Sequence, residues 1–154
     1  MAETTLDDFD RERHMRRALE LAREAAGRGD EPFGSVLVRD DEVVAAASNR
    51  VVTAEDIRRH PELDLAREAF HEHTPDERAE TVMYTSTEPC PMCAGGLRSA
   101  GLARVVYSVG GDEIREFTGG EPSVRAAAIL DGTTEVTGPV LNDAGRAVHE
   151  RFDW

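Results

Sequence analysis

Lysine is absent from this chain of 154 residues, and every one of its 18 fixed cations is an arginine. Cysteine is almost absent as well. Cys90 and Cys93 are the only two, and they lie too close together to staple distant segments. The fold therefore does not rest on disulfides, and a reducing cytoplasm is the default compartment. Aromatic residues are only 5% of the chain, and the longest apolar runs, such as Val43–Ala47 and Ala126–Leu130, are far too short to cross a bilayer. Met1 to Asp10 is acidic and lacks the apolar stretch of a secretory signal. Membrane-spanning, collagenous and disulfide-scaffold classes are excluded. What remains is a soluble chain with the length of a single domain, residues 1–154.

Its charge is lopsided: 31 acidic residues against 18 arginines give a net charge of -13. Affinity for a phosphate backbone is built from clustered basic side chains, so nucleic acid is an unfavoured partner. The same balance resembles that of proteins hydrated in concentrated salt, where acidity serves solubility and says little about a ligand.

Hydrophobic periodicity predicts a helix over Asp10–Gly27, carried by Met15, Ala18, Leu19, Ala22, Ala25 and Ala26. Gly34–Arg39 and Val43–Ser48, separated by Asp40-Asp41-Glu42, read as a hairpin. Pro61–His73 reads as a second helix, with Leu63, Ala66 and Phe70 on one face. Thr81–Ser86 and Arg104–Val109 read as strands on either side of a helix over Pro91–Ala100. Asp112–Gly120 is ambiguous. Helix is expected over Ser123–Leu130, a short strand over Thr134–Thr137 and a terminal helix over Leu141–Phe152. This order specifies a layered α/β domain with a mixed sheet.

The chemistry concentrates in Thr87-Glu88-Pro89-Cys90-Pro91-Met92-Cys93-Ala94. Cysteines at this spacing, with proline favouring the first helical position, present two sulfurs to one point. The positive end of the helix favours the thiolate form that a metal needs. A lone C-x-x-C also marks redox dithiols and half of many structural zinc sites. A redox dithiol does not require His60-Pro61-Glu62 thirty residues upstream, and a purely structural zinc site wants a fourth protein ligand. His60, also at a helix entrance, can complete a three-residue zinc site with Cys90 and Cys93, leaving the fourth tetrahedral position for water. Glu62, which is not a ligand, then serves as proton carrier between water, a ring nitrogen and a departing amine.

His60-Pro61-Glu62 followed by Pro89-Cys90-Pro91-Met92-Cys93 resembles the zinc-dependent cytidine deaminase superfamily, whose H-x-E…P-C-x-x-C signature it reproduces. Pro32-Phe33-Gly34, Ser48-Asn49-Arg50 and Tyr84-Thr85-Ser86-Thr87-Glu88 are similar to its guanine deaminase, cytosine deaminase and tRNA adenosine deaminase branch, over about residues 9–110. Family members mostly carry alanine where Pro61 stands, and Asp-Pro-Thr-Ala where this chain has Asp56-Ile57-Arg58-Arg59.

The resemblance implies a three-layer α/β/α sandwich with a mixed five-stranded sheet, a bound Zn2+ and a homodimer. It assigns zinc ligation to His60, Cys90 and Cys93 and proton shuttling to Glu62. It also implies a substrate hydrogen bond from Asn49 and a pocket wall at Phe33. The C-terminal stretch of about 141–154 becomes an active-site lid carrying Phe152 and Trp154. The expected substrate is a free nucleobase or small aminated heterocycle, guanine first and cytosine second. The alternatives are a tRNA adenosine deaminase and a zinc-stabilised binding module without turnover. His14, His71, His73 and His149 are expected at the solvated surface.

Overall fold

The computed structural model describes residues 5–154. Helix α1 (Arg11–Arg28) opens on Asp10, whose side chain accepts from the Arg13 amide, and closes on Gly29 in the left-handed region (φ 98°). Strands β1 (Gly34–Arg39) and β2 (Glu42–Ser48) form an antiparallel hairpin with Arg39 opposite Glu42. Asp40 and Asp41 make its turn at φ 53° and 60°, the mirror-image geometry that suits strand twist. The Asp41 carboxylate accepts from the Asp10 amide at 2.9 Å and lies 2.7 Å from His14 Nε2, which ties the turn to the start of α1.

Helices α2 (Val51–Ala54), α3 (Pro61–Glu72) and α4 (Pro75–Arg78) lead to strand β3 (Val82–Thr87). Helix α5 (Pro91–Ala100) returns the chain to strand β4 (Arg104–Val109). Helices α6 (Gly111–Thr118) and α7 (Ala126–Ile129), strand β5 (Glu135–Thr137) and helix α8 (Asn142–Glu150) complete the described chain. The sheet order is β2-β1-β3-β4-β5, antiparallel through β3 and parallel beyond it.

Alternation along the strands divides the core into two layers. Val36, Val38, Val82, Tyr84 and Val106 pack with Met15, Ala18, Leu19 and Ala22 of α1 and Val148 of α8. Leu37, Met83 and Val105 face the other way, onto Leu65, Ala66 and Ala69 of α3, Ala94 and Leu97 of α5, and Ala126 of α7. The result is an α/β/α sandwich. At Gly34 the strand passes close to α1, and a Cβ there would stand 2.6 Å from the Ala22 nitrogen.

Four expectations need correction. Helix α3 buries Glu62, Leu65, Ala66 and Ala69, while Phe70 is 60% exposed, so the apolar face is rotated from the one expected. Helix α7 starts only at Ala126, because Arg125 is drawn out to pair with Glu88. The terminal helix stops at Glu150, leaving Phe152 and Trp154 beyond it. His14 and His149 are buried, each 1% exposed, because Asp41 and Thr87 offer them partners inside the fold.

Candidate active site

Proline begins both helices that carry the site. In front of Pro61, His60 is the N-cap of α3 with extended backbone (φ -81°, ψ 139°). In front of Pro91, Cys90 is the N-cap of α5 in the same region (φ -68°, ψ 167°). Residues preceding proline avoid helical backbone, and proline loses no hydrogen bond in a first turn. Neither His60 nor Cys90 spends its side chain on capping its own helix, so both turn toward the gap between the helices.

There His60 Nδ1 lies 3.6 Å from Cys90 Sγ and 3.4 Å from Cys93 Sγ, and the three donor atoms lie within 4.8 Å of one another. Zinc with Zn–S of about 2.3 Å and Zn–N of about 2.0 Å in a tetrahedron requires N···S edges of about 3.5 Å. The triangle has that size, and two thiolates with one imidazole is a donor set suited to zinc. A hydrogen bond from Cys93 holds the Cys90 thiol down at about 4, whereas the same bond and burial push Cys93 up. His60 is raised, chiefly by its contact with Cys90.

Glu62 follows at the second position of α3 and is 7% exposed. The Ser35 hydroxyl lies 3.4 Å from its Oε1 and 2.8 Å from Thr85 Oγ1. Burial pushes the Glu62 carboxyl up to about 7, with His60 pulling against it and Cys90 adding to it. A carboxyl poised there can both take and give a proton near neutral pH.

A cavity of about 120 Å³ opens beside these groups, lined by Phe33, His60, Pro61, Glu62, Thr87, Glu88, Cys90 and Ile114. Asn49 is fully buried and joins the cavity through Phe33, its amide donating to the Phe33 carbonyl at 3.0 Å. Its Oδ1 accepts from the Val51 amide at 3.0 Å, while Nδ2 is buried without a partner. Trp154 lies 5.9 Å from the Phe33 ring and 4.8 Å from Phe152, so the C-terminal aromatics also reach the cavity by way of Phe33.

The fold thus brings His60, Cys90 and Cys93 together, with His60, Cys90 and Glu62 lining one cavity, while Asn49, Phe152 and Trp154 adjoin that cavity through Phe33 without lining it. Sequence reasoning missed Ser35 and Ile114 as neighbours, and gave no role to Thr87 or to Glu88, a buried anchor, although both stand in the segment that carries the cysteines. It also missed His149, although Gly145, Val148 and His149 share the helical spacing of an inward face.

A three-layer α/β/α sandwich in which His60, Cys90 and Cys93 form a triangle that can hold a metal ion is the architecture of a zinc-dependent hydrolytic deaminase. The family described as "Cytidine and deoxycytidylate deaminase zinc-binding region" matches residues 9–109. The chain belongs to that family. It is 29% identical to a probable cytosine deaminase of Schizosaccharomyces pombe, across 99% of this chain and 97% of that protein. It is 36% identical to the guanine deaminase of Bacillus subtilis over 63% of each chain. It is 34% identical to the tRNA-specific adenosine deaminase of Agrobacterium fabrum over 64% of each. A solved guanine deaminase from Nitrosomonas europaea superposes with a TM-score of 0.77, at 25% identity, over 96% of this chain and 85% of that one. Among the described residues, no helix is long and apolar enough to cross a membrane.

Proposed function

We propose that this chain deaminates a free nucleobase, guanine first and cytosine second, with Glu62 as proton carrier and His60, Cys90 and Cys93 as zinc ligands. The observation that supports the reading is the small cavity lined by both an aromatic ring, Phe33, and a buried carboxyl, Glu62, beside three residues that can hold a metal. A flat aminated ring suits such a space. The guanine and cytosine deaminases among its relatives support the same substrate class.

When bound, zinc acts as a Lewis acid that brings the pKa of water toward neutrality. Glu62 takes the proton of the attacking water and places it on a ring nitrogen as the C–O bond forms. It then takes the second proton, from the hydroxyl now on the ring carbon, and passes it to the amine; the C–N bond breaks to release ammonia as that carbon becomes a carbonyl. Phe33 stacks against the ring, and Asn49, next to Phe33, keeps a side-chain donor, Nδ2, that no group of the protein takes up and that a ring carbonyl of the base can.

A tRNA adenosine deaminase is the second reading, favoured by the Agrobacterium relative. Against it, Arg146 of α8 is engaged by Glu113 at 2.9 Å and Glu116 at 2.8 Å and presents no free cation to a phosphate backbone. Intact, buried Glu62 speaks against a binding module without turnover. A homodimer accords with the apolar groove of Leu63, Ala66, Phe70 and Gly96 along α3 and α5, and sedimentation measures it.

Ammonia release decides among these readings. Zinc-loaded protein is offered guanine, cytosine, adenosine and an anticodon-loop RNA at low and high salt, with Glu62→Ala as control. Turnover of a free base, lost in Glu62→Ala, is expected. Turnover of the RNA alone overturns the free-base reading, and full activity of Glu62→Ala overturns the mechanism.

A further inference from the structure

His149 lies on α8, outside the metal triangle and unused by the chemistry above, yet it is 1% exposed. Its Nε2 stands 3.1 Å from Thr87 Oγ1. Its ring lies 5.7 Å from Phe33, 5.5 Å from Phe117 and 5.8 Å from Trp154, centroid to centroid. Thr87 and Phe33 both line the cavity. One histidine thus holds two wall residues from behind, one by a hydrogen bond and one by ring contact.

Packing alone does not account for an imidazole at this place. Its Nδ1 is buried without a partner, a cost that a hydrocarbon side chain would avoid. Burial, with a smaller effect from Arg146, pushes the ring down to about 4, so it stands neutral beside the cavity at ordinary pH. A neutral ring presents one donor and one acceptor nitrogen, so Nε2 can pair with the Thr87 hydroxyl in either tautomer.

We infer that His149 is a positioning residue for the base: acting through Thr87 and Phe33, it fixes the cavity wall and thereby sets binding of the flat ring, with Trp154 held against the same wall. The inference rests on the nucleobase deaminase reading for its substrate. The wall itself can be tested without turnover.

Trp154 is the only tryptophan in the chain, so its emission reports this wall directly. His149→Phe keeps a ring and loses the bond to Thr87; His149→Gln keeps a hydrogen-bonding group and loses the ring. Both are compared with the parent by circular dichroism, Trp154 emission and steady-state kinetics on whichever base the parent turns over. The expected result is a KM raised roughly tenfold in each variant, the scale of one lost hydrogen bond or more, with kcat within about twofold. Trp154 emission should shift in His149→Gln. If His149→Phe does not fold, His149→Gln decides alone. Unchanged KM in a folded variant, or a fall confined to kcat, overturns the positioning role. Unchanged Trp154 emission in His149→Gln overturns the wall arrangement whether or not any base is turned over. A parent that releases ammonia from no base overturns the deaminase reading and leaves the emission result standing.

Discussion

Arg125 closes on Glu88: its Nε lies 2.9 and 2.8 Å from the two carboxylate oxygens, and its Nη2 donates to Oε1 at 2.6 Å. The same carboxylate accepts the Gly111 amide at 3.1 Å and the Ala126 amide at 3.0 Å. One buried side chain therefore gathers the first amides of α6 and α7 beside the cavity. Burial alone would raise the Glu88 carboxyl, but Arg125 and the two amides hold it below its ordinary value.

Arg125→Ala should remove that counter-charge and loosen the segment between α6 and α7. Arg125 is partly exposed, so the loss is moderated by solvent, and about 2 kcal/mol is expected. For a chain of this length that lowers the melting temperature by roughly 4–8 °C in calorimetry. Arg125→Lys should fall between the two, because an ammonium lacks the planar fork that meets both oxygens. A melting temperature equal to the parent's would show that the pair contributes nothing.

Asp30 gives the clearest dependence on pH. Its side chain is fully buried and accepts the Val52 amide at 3.0 Å, the Thr53 amide at 2.9 Å, the Thr53 hydroxyl at 2.9 Å and Arg28 Nε at 2.9 Å. Burial raises its carboxyl, but the bonds from Thr53 and Arg28 outweigh burial and leave it lowered. A lowered folded pKa stabilises above the unfolded value of about 3.9, and that stability is lost as pH falls through the folded value. The difference in denaturant midpoint between the parent and Asp30→Asn, which cancels the titration of other groups, should therefore be constant above about pH 5 and shrink below about pH 4.

Glu62→Gln separates metal binding from proton transfer. The amide keeps the shape and removes the carrier, so zinc content by atomic absorption should match the parent while ammonia release falls roughly a thousandfold. Because a buried carboxyl is replaced by a neutral group, the variant should melt at or above the parent's temperature. Loss of zinc along with activity would instead make Glu62 part of the metal site.

Asn49→Asp is the matching test of base recognition. Oδ1 can still accept the Val51 amide, so the turn into α2 should survive. The donor at Nδ2 becomes an acceptor, and kcat/KM should fall roughly tenfold to a hundredfold, mainly through KM. A change confined to kcat would place Asn49 outside recognition.

The sandwich, and the gathering of His60, Cys90 and Cys93 at one point, were legible in the sequence because local chemistry and global fold agree there. Pro61 and Pro91 mark the helix entrances, and strand alternation from Val36 to Val38 assigns each side chain to a layer. The histidines were misread for the opposite reason. His14 and His149 are polar by composition, and only distant partners, Asp41 and Thr87, bring them inside. Helix α7 was overextended by the same kind of effect, since the apolar run cannot show that Arg125 will be pulled toward Glu88. Phe70 fits the helical period, yet it lies one step round from the face that Leu65 and Ala69 bury.

The two capping positions have a mechanical consequence. His60 and Cys90 leave their own helix ends without side-chain caps, and when both hold one ion they fasten chain positions thirty residues apart. Such a clasp encloses α3, α4 and β3 in a closed loop, and closing a loop removes entropy from the unfolded chain as a disulfide would. In a protein that forms no long-range cystine, zinc loading should therefore act as the staple. Thermal stability should follow metal occupancy even in variants that have lost all turnover.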